Sequence, residues 1–276
     1  MQKTSVKRRV AKKNEHQIFD KYTLYRKAVQ SAESDVVFLK ETYLELRGHQ
    51  PQIFREDFCG TFALSCEWVK LNSKFESIGV DLDPEPIEYG KSHYLTKLNE
   101  SQQKRVQLVE GNVLTSKLPA ADIVAAMNFS YFIFKQRETL KQYFSNVFLS
   151  LKKDGIFIID LFGGSLCHDE NEEKTIHKGF TYYWHQTGFD PVTNHALFHI
   201  HFRVKGKKRI ERVFTYDWRM WTIPELREIL QEAGFKKRMF IGKVRPKTGE
   251  ATGIFHELKR VRLASLGLRI SPLKNK

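Results

Sequence analysis

Apolar positions in this chain follow two rhythms, and the change from one to the other divides it. Between Ile53 and Phe162, short apolar runs alternate with stretches in which apolar residues recur every three or four positions. The short runs lead to Glu56-Asp57, Asp81, Glu110, Met127 and Phe162. Between them, Phe62, Ala63, Leu64, Trp68 and Val69 have helical spacing, as do Leu140, Tyr143, Phe144, Val147, Phe148 and Leu151. Pro84 and Pro86 open a further helix that runs to about Lys97, since a first helical turn tolerates the missing N–H of proline. Strand and helix in alternation predict a parallel sheet with helices on its faces. Asp122–Met127 and Ile156–Phe162 are nearly continuous in apolar residues, as strands covered on both faces are.

Later the period changes to two. Ala196, Phe198, Ile200, Phe202 and Val204 alternate with His195, His199, His201 and Arg203, and another run spans Arg209 to Trp218. With Phe180–Trp184 before them and short turns between, these predict an antiparallel meander. The acidic stretch 163–178 shows neither rhythm and predicts a flexible loop. Thr222, Pro224 and Glu225 have the arrangement of a capped helix start, and Gly234 ends that helix. At the front, Ile18, Tyr22, Tyr25 and Val29 predict one helix over 15–29. A second is expected to start near Ser34, whose hydroxyl can cap it, and to end at Gly48 and Pro51. The organisation is therefore a basic arm (1–14), a helical segment (15–50), an α/β core (51–162), an acidic loop with an antiparallel insertion (163–221), a last helix with closing strands (222–258) and a basic tail (259–276).

Composition narrows the classes. At 276 residues and 41% hydrophobic, the chain can bury a large core. No apolar run approaches the roughly 20 residues of a membrane span, and no apolar signal region follows the basic start. Cys59, Cys66 and Cys167 lack metal or disulfide spacing, which argues for a reducing, cytoplasmic setting. The formal charge of +14 attracts polyanions, but much of the excess sits in the two ends, where it reads equally as solvated tail. His195, His199 and His201 share a strand face with no acid or cysteine close in sequence, so they read as a solvated face and no metal is expected.

Chemistry concentrates at the strand ends from Arg55 to Asp83. Cys59-Gly60-Thr61 forms a small-residue turn between strand and helix, and Asp81 ends the next strand twenty-one residues after Gly60. A carboxylate there can accept from both hydroxyls of a ribose. The segment resembles the class I S-adenosylmethionine (SAM)-dependent methyltransferases, and the resemblance runs from about Asp20 to Phe255. Glu56 matches the acid of the family's first motif and Cys59-Gly60-Thr61 its core, whereas Phe58 and Phe62 stand where the family has glycine.

The resemblance implies a doubly wound, mostly parallel seven-stranded sheet. The helices over 15–50 would form a lid, the antiparallel insertion would shape the substrate site, and Lys237–Ile241 and Gly253–Leu258 would be the closing antiparallel strands. It implies SAM as cofactor and S-adenosylhomocysteine as product. Glu56, Phe58, Cys59, Gly60, Asp81, Leu82, Asn112, Val113, Asn128 and Phe129 would hold the cofactor. Asn112 replaces the family's aspartate at the adenine amine, and its side-chain carbonyl can still accept from that amine. Pocket candidates are Tyr22, Tyr25, Gln30, Tyr131, Asp160, Trp184, Trp218 and Arg219, with Asp160 either a base, a substrate anchor or a structural acid. Methyl transfer asks for alignment more than for side-chain chemistry, so no catalytic residue is legible. A small-molecule acceptor is the leading expectation. RNA or protein, suggested by the basic ends, is the alternative, and a non-catalytic binding module is the third.

Overall fold

The computed structural model describes residues 19–115, 117–163, 165–237, 239–242 and 266–270. Five strands run parallel in its main sheet: β1 (Ile53–Asp57), β2 (Glu76–Asp81), β3 (Val106–Glu110), β4 (Ala121–Ala126) and β5 (Leu151–Leu161). Their order is β5-β4-β1-β2-β3, so the chain moves outward from β1 in one direction and then in the other. That reversal opens a crevice at the carboxyl ends of β1 and β4, where open α/β sheets bind ligands.

Alternate residues of each strand feed two cores. On one face, Phe54, Ile123, Ala125, Ile156 and Ile158 pack with α2 (Ala32–Arg47) and α3 (Ala63–Leu71). On the other, Val80, Val124, Ala126, Phe157 and Ile159 pack with α6 (Arg137–Ser150) and α7 (Ile223–Glu232). α4 (Pro84–His93) and the short α5 (Glu100–Gln103) link β2 to β3; the capping box of Asn99 and Gln102 makes a helix of what reads as a polar linker. The centre of β1 carries a fully buried ion pair. Arg55 Nε donates to Asp57 Oδ1 over 2.8 Å, its Nη1 donates to Ser150 Oγ and to the Pro119 carbonyl, and Tyr143 donates to Asp57. Every charge-bearing atom of the pair thus has a partner, the condition on which buried ions are tolerated.

Several boundaries differ from expectation. α1 is Lys21–Val29, capped by Asp20, whose carboxylate accepts from the Tyr22 and Thr23 amides. α2 starts after Ser31, three residues before the expected cap Ser34. α2 also does not lie over the strand ends: Val36, Leu39 and Tyr43 are buried against α3 and the sheet face. β5 starts at Leu151, five residues before the expected Ile156; its start is irregular, and there Lys152 meets Asp122 at 3.2 Å. β10 (Met239–Gly242) and β11 (Leu266–Ile270) continue the sheet past β5, parallel to it rather than antiparallel. The expected strand Gly253–Leu258, the basic arm 1–14, and residues 259–265 and 271–276 of the basic tail lie outside the described residues, while 266–270 of that tail form β11. Among the described residues, no helix is long and apolar enough to cross a membrane.

The insertion is a separate antiparallel sheet of β6 (Asn171–His177), β7 (Phe180–Asp190), β8 (His195–Val204) and β9 (Ile210–Arg219), in that order. The second half of the acidic stretch read as a flexible loop, Asn171–His177, is therefore an edge strand. Asn171 to His177 pair residue by residue with Gln186 to Phe180. An edge strand tolerates charge because one of its faces meets water. Two of the three histidines also depart from the expected solvated face: His199 and His201 are 4% and 2% exposed. His199 contacts Thr215 Oγ1 at 2.9 Å, and His201 lies beneath Glu211.

Candidate active site

Glycine-like backbone gathers at the strand ends. Phe58, Gly60 and Phe62 have φ of 58°, 52° and 46°, and Asn128 and Phe129 both have φ of 58°. The left-handed region disfavours L side chains by roughly 1–2 kcal/mol per residue, so such a cluster marks a place where the surroundings overrule local preference. At Gly60 nothing lies within 4 Å of where a side chain would begin. This leaves open space for a ligand to approach the backbone. The two phenylalanines do not fill that space. Phe62 is fully buried, its ring lying where a side chain on Gly90 of α4 would be, 2.4 Å from Phe62 Cε1. Phe58 turns to the opposite core, against Phe134 and Tyr143.

Asp81 sits beside this turn. Its Oδ2 accepts from the Gly60 amide at 2.6 Å and its Oδ1 from the Asp83 amide at 2.9 Å. Each oxygen keeps further acceptor capacity, which is what two ribose hydroxyls require. Leu82 follows, 66% exposed. Glu56 is buried and bonded through Oε2 to the amide and hydroxyl of Ser65, tying β1 to α3. Burial pushes its carboxyl up to about 8 despite those two bonds. Glu56 therefore shapes the turn from behind. Cys59 is buried too, its amide bonded to the Val80 carbonyl, and burial holds its thiol well above the ordinary value. At the end of β3, Asn112 is exposed, its Oδ1 accepting from Leu114 N–H at 2.9 Å, and Val113 is buried below it.

At the end of β4, both oxygens of Asp160 accept backbone N–H bonds, from Asn128 and Phe129, each at 2.8 Å. This buried acid holds the left-handed pair in place, and the hydroxyl of Tyr131 donates to its main-chain carbonyl at 2.9 Å. Beyond Asn128 and Phe129 opens a cavity of about 340 Å³, large enough for a compact organic molecule. Its walls include Tyr25 from α1, Phe162 after β5, and Trp184, Tyr216 and Trp218 from the antiparallel sheet. Glu173 and Asp160 bring carboxylates to it; no Lys or Arg lines it among the described residues. Burial raises the Glu173 carboxyl above its ordinary value. α1 spans from α4, where Tyr89 donates to Asp20 at 2.6 Å and Lys21 pairs with Glu85, to the antiparallel sheet, where Tyr25 meets Phe214. Tyr22 sits at the α4 end of this span, its ring 4.7 Å from that of Tyr89.

The structure thus brings Gly60, Asp81, Asn112, Asn128 and Phe129 to adjoining strand ends, and Tyr25, Asp160, Trp184 and Trp218 into one cavity with Asn128 and Phe129. It leaves out Tyr131, which is buried behind Asp160, and Arg219, which pairs with Glu225 at 2.9 Å and stacks on Trp221. Gln30 caps the end of α1, outside the cavity lining. Sequence reasoning missed Glu173, Thr175 and His177, which line the cavity from β6. Their spacing of two within Glu173-Lys-Thr-Ile-His177 was the available signal, hidden by the charge around it.

No protein-family model and no curated protein matches this sequence. Solved structures match its shape. The sugar N-methyltransferase KedS8 from Streptoalloteichus is 15% identical, with 90% of this chain and 95% of that one covered and a TM-score of 0.61. A SAM-dependent methyltransferase from Clostridium acetobutylicum is 19% identical over 77% of this chain and 85% of that one, with a TM-score of 0.60. SAM-bound CalS10, an amino pentose methyltransferase from Micromonospora echinaspora, is 14% identical over 80% and 90%, with a TM-score of 0.62.

Proposed function

On this fold, which is that of SAM-dependent methyltransferases, we propose that the chain transfers a methyl group from SAM to a small-molecule amine. One observation carries the reading: the cavity begins at Asn128 and Phe129, the same residues that end the row of ligand-ready strand ends. The open space at Gly60 and the remaining acceptor capacity of Asp81 fit the cofactor. Bound SAM would supply a methyl carbon already electrophilic on its sulfonium sulfur. Asp81 would accept from the ribose hydroxyls and Asn112 Oδ1 from the adenine amine, with Val113 beneath the base. Gly60 would let the backbone approach, and Asn128 and Phe129 would border the methionine part. Glu56 and Cys59 support that turn, and α1 acts as the lid.

An amine suits the walls. Aromatic faces attract cations, and carboxylates without competing bases favour a protonated amine on entry. The nitrogen must lose a proton to attack, and Glu173, held above its usual range by burial, is placed to accept it. KedS8, a sugar N-methyltransferase, and CalS10, an amino pentose methyltransferase, support the same class.

The deciding experiment is calorimetry with SAM, followed by a turnover assay for S-adenosylhomocysteine across small amines and an RNA pool. Micromolar binding lost in Asp81→Ala, with turnover on amines alone, is the expected result. Binding without turnover on any acceptor would return the chain to a binding module. RNA binding with a steep salt dependence would move it to nucleic acid. Glu173→Gln is expected to lower kcat at least tenfold and to remove the low-pH limb of the rate profile, which in the parent protein falls above the ordinary glutamate pKa.

A further inference from the structure

The four-stranded sheet has a second face, and that face carries a cluster of its own. Strand residues alternate sides, so while Glu173, Trp184 and Ile200 line the cavity, their neighbours Glu172, His185 and His201 point the other way. Glu172 and His185 are directly paired across β6 and β7, and His201 lies on β8 one diagonal further. His185 Nδ1 is 3.3 Å from His201 Nε2 and 3.8 Å from Glu172 Oε2. One ligand atom from each of the three falls within 4.8 Å of the others. The far nitrogen of His201 faces two partners: the Arg212 amide donates to Nδ1 at 2.8 Å, and Glu211 Oε2 lies 2.5 Å from it. Metal binding through Nε2 needs the tautomer with the proton on Nδ1, directed to Glu211 as behind metal-bound histidines, in place of the present bond from the Arg212 amide.

We propose that Glu172, His185 and His201 form a binding site for a divalent transition ion of the zinc type. Two imidazole nitrogens and a carboxylate oxygen suit zinc with a water in the fourth position, and the nitrogen ligands select against magnesium and calcium. Arg209 now bonds to Glu172 through its guanidinium and also reaches Glu211 at 2.8 Å. The ion takes the place of Arg209 on Glu172 while the arginine keeps Glu211. Its charge is then met by Glu172, with Glu170 and Glu211 near and Arg209 opposing, so the affinity is moderate rather than extreme. The role follows from the strands it joins. The ion ties edge strand β6 to β7 and β8, whose opposite faces form the cavity wall with Glu173. This inference does not depend on the methyl-transfer reading.

The test uses the full chain stripped with chelator and dialysed, then titrated with zinc, cobalt or magnesium. One zinc retained per chain by elemental analysis is expected, with a thermal midpoint raised by about 3 °C at 100-fold excess over Kd. Cobalt should give the visible bands of a four-coordinate site, and magnesium no shift. His185→Ala and Glu172→Gln should each weaken zinc at least tenfold; the second variant serves if the first fails to fold. A midpoint unmoved by zinc, or a shift equal in size in His185→Ala, His201→Ala and the parent, overturns the site. The second outcome assigns binding to other histidines.

Discussion

Two buried acids near the strand ends do different work, and each can be separated by one substitution. Glu56 has its carboxyl raised to about 8 from an ordinary 4.5 by burial. Because the folded value lies above the unfolded one, this stability is fully present below about pH 4.5 and is lost as pH rises through about 8. The loss is on the order of 4–5 kcal/mol. Glu56→Gln, whose carbonyl can still accept from Ser65, is expected to flatten the fall in stability between pH 5 and pH 8, as read by denaturant unfolding. Asp160 instead serves two N–H donors at once. Asn in its place offers one oxygen and turns an amide NH₂ toward the other donor. Asp160→Asn should cost about 2–3 kcal/mol and disturb the Asn128–Phe129 turn, which urea denaturation and SAM affinity will report together.

Elements here are tuned to one another in ways that reverse ordinary substitution rules. Gly90 lies inside α4, where alanine would normally stabilise by roughly 0.5–1 kcal/mol. A Cβ at Gly90 would stand 2.4 Å from the Thr61 carbonyl as well as from the Phe62 ring. Gly90→Ala is therefore expected to destabilise by about 1–3 kcal/mol, and a stabilised variant would refute the packing account of Phe62. The same pair explains why the glycine turn looks degenerate in sequence. The missing glycine at position 62 is matched by one at 90, twenty-eight residues on, which no local motif can express. β6 makes a parallel point. Its seven residues are exposed or half-buried, so this charged edge strand gains its stability from pairing with β7, and that partner is not written within the seven residues.

At the scale of the whole molecule, two sheets meet at one site. The parallel sheet supplies the strand ends and the antiparallel sheet the cavity wall, with α1 bridging them. A ligand that touches the strand ends should stabilise the whole chain by mass action. SAM at 100 times its Kd is expected to add about 2.7 kcal/mol, seen as a midpoint rise of about 2–4 °C that Asp81→Ala abolishes.

The order of strands and helices from Ile53 to Phe162 was legible because apolar period encodes which faces are covered, and that property is local. Asp81, Asn112 and Asn128 were legible as candidates for the same reason: they close apolar runs, and runs end where ligands bind in such sheets. Only the tertiary structure decided what fills or leaves open the space between them. It sent Phe58 and Phe62 into opposite cores, turned Asp160 onto two backbone amides, and made an acidic stretch the edge of a second sheet. It also buried His201 beneath Glu211, with His185 and Glu172 beside it. Each of these outcomes rests on contacts between residues far apart in the chain. Burial and charge pairing are properties of such contacts, and a sequence read along its length does not contain them.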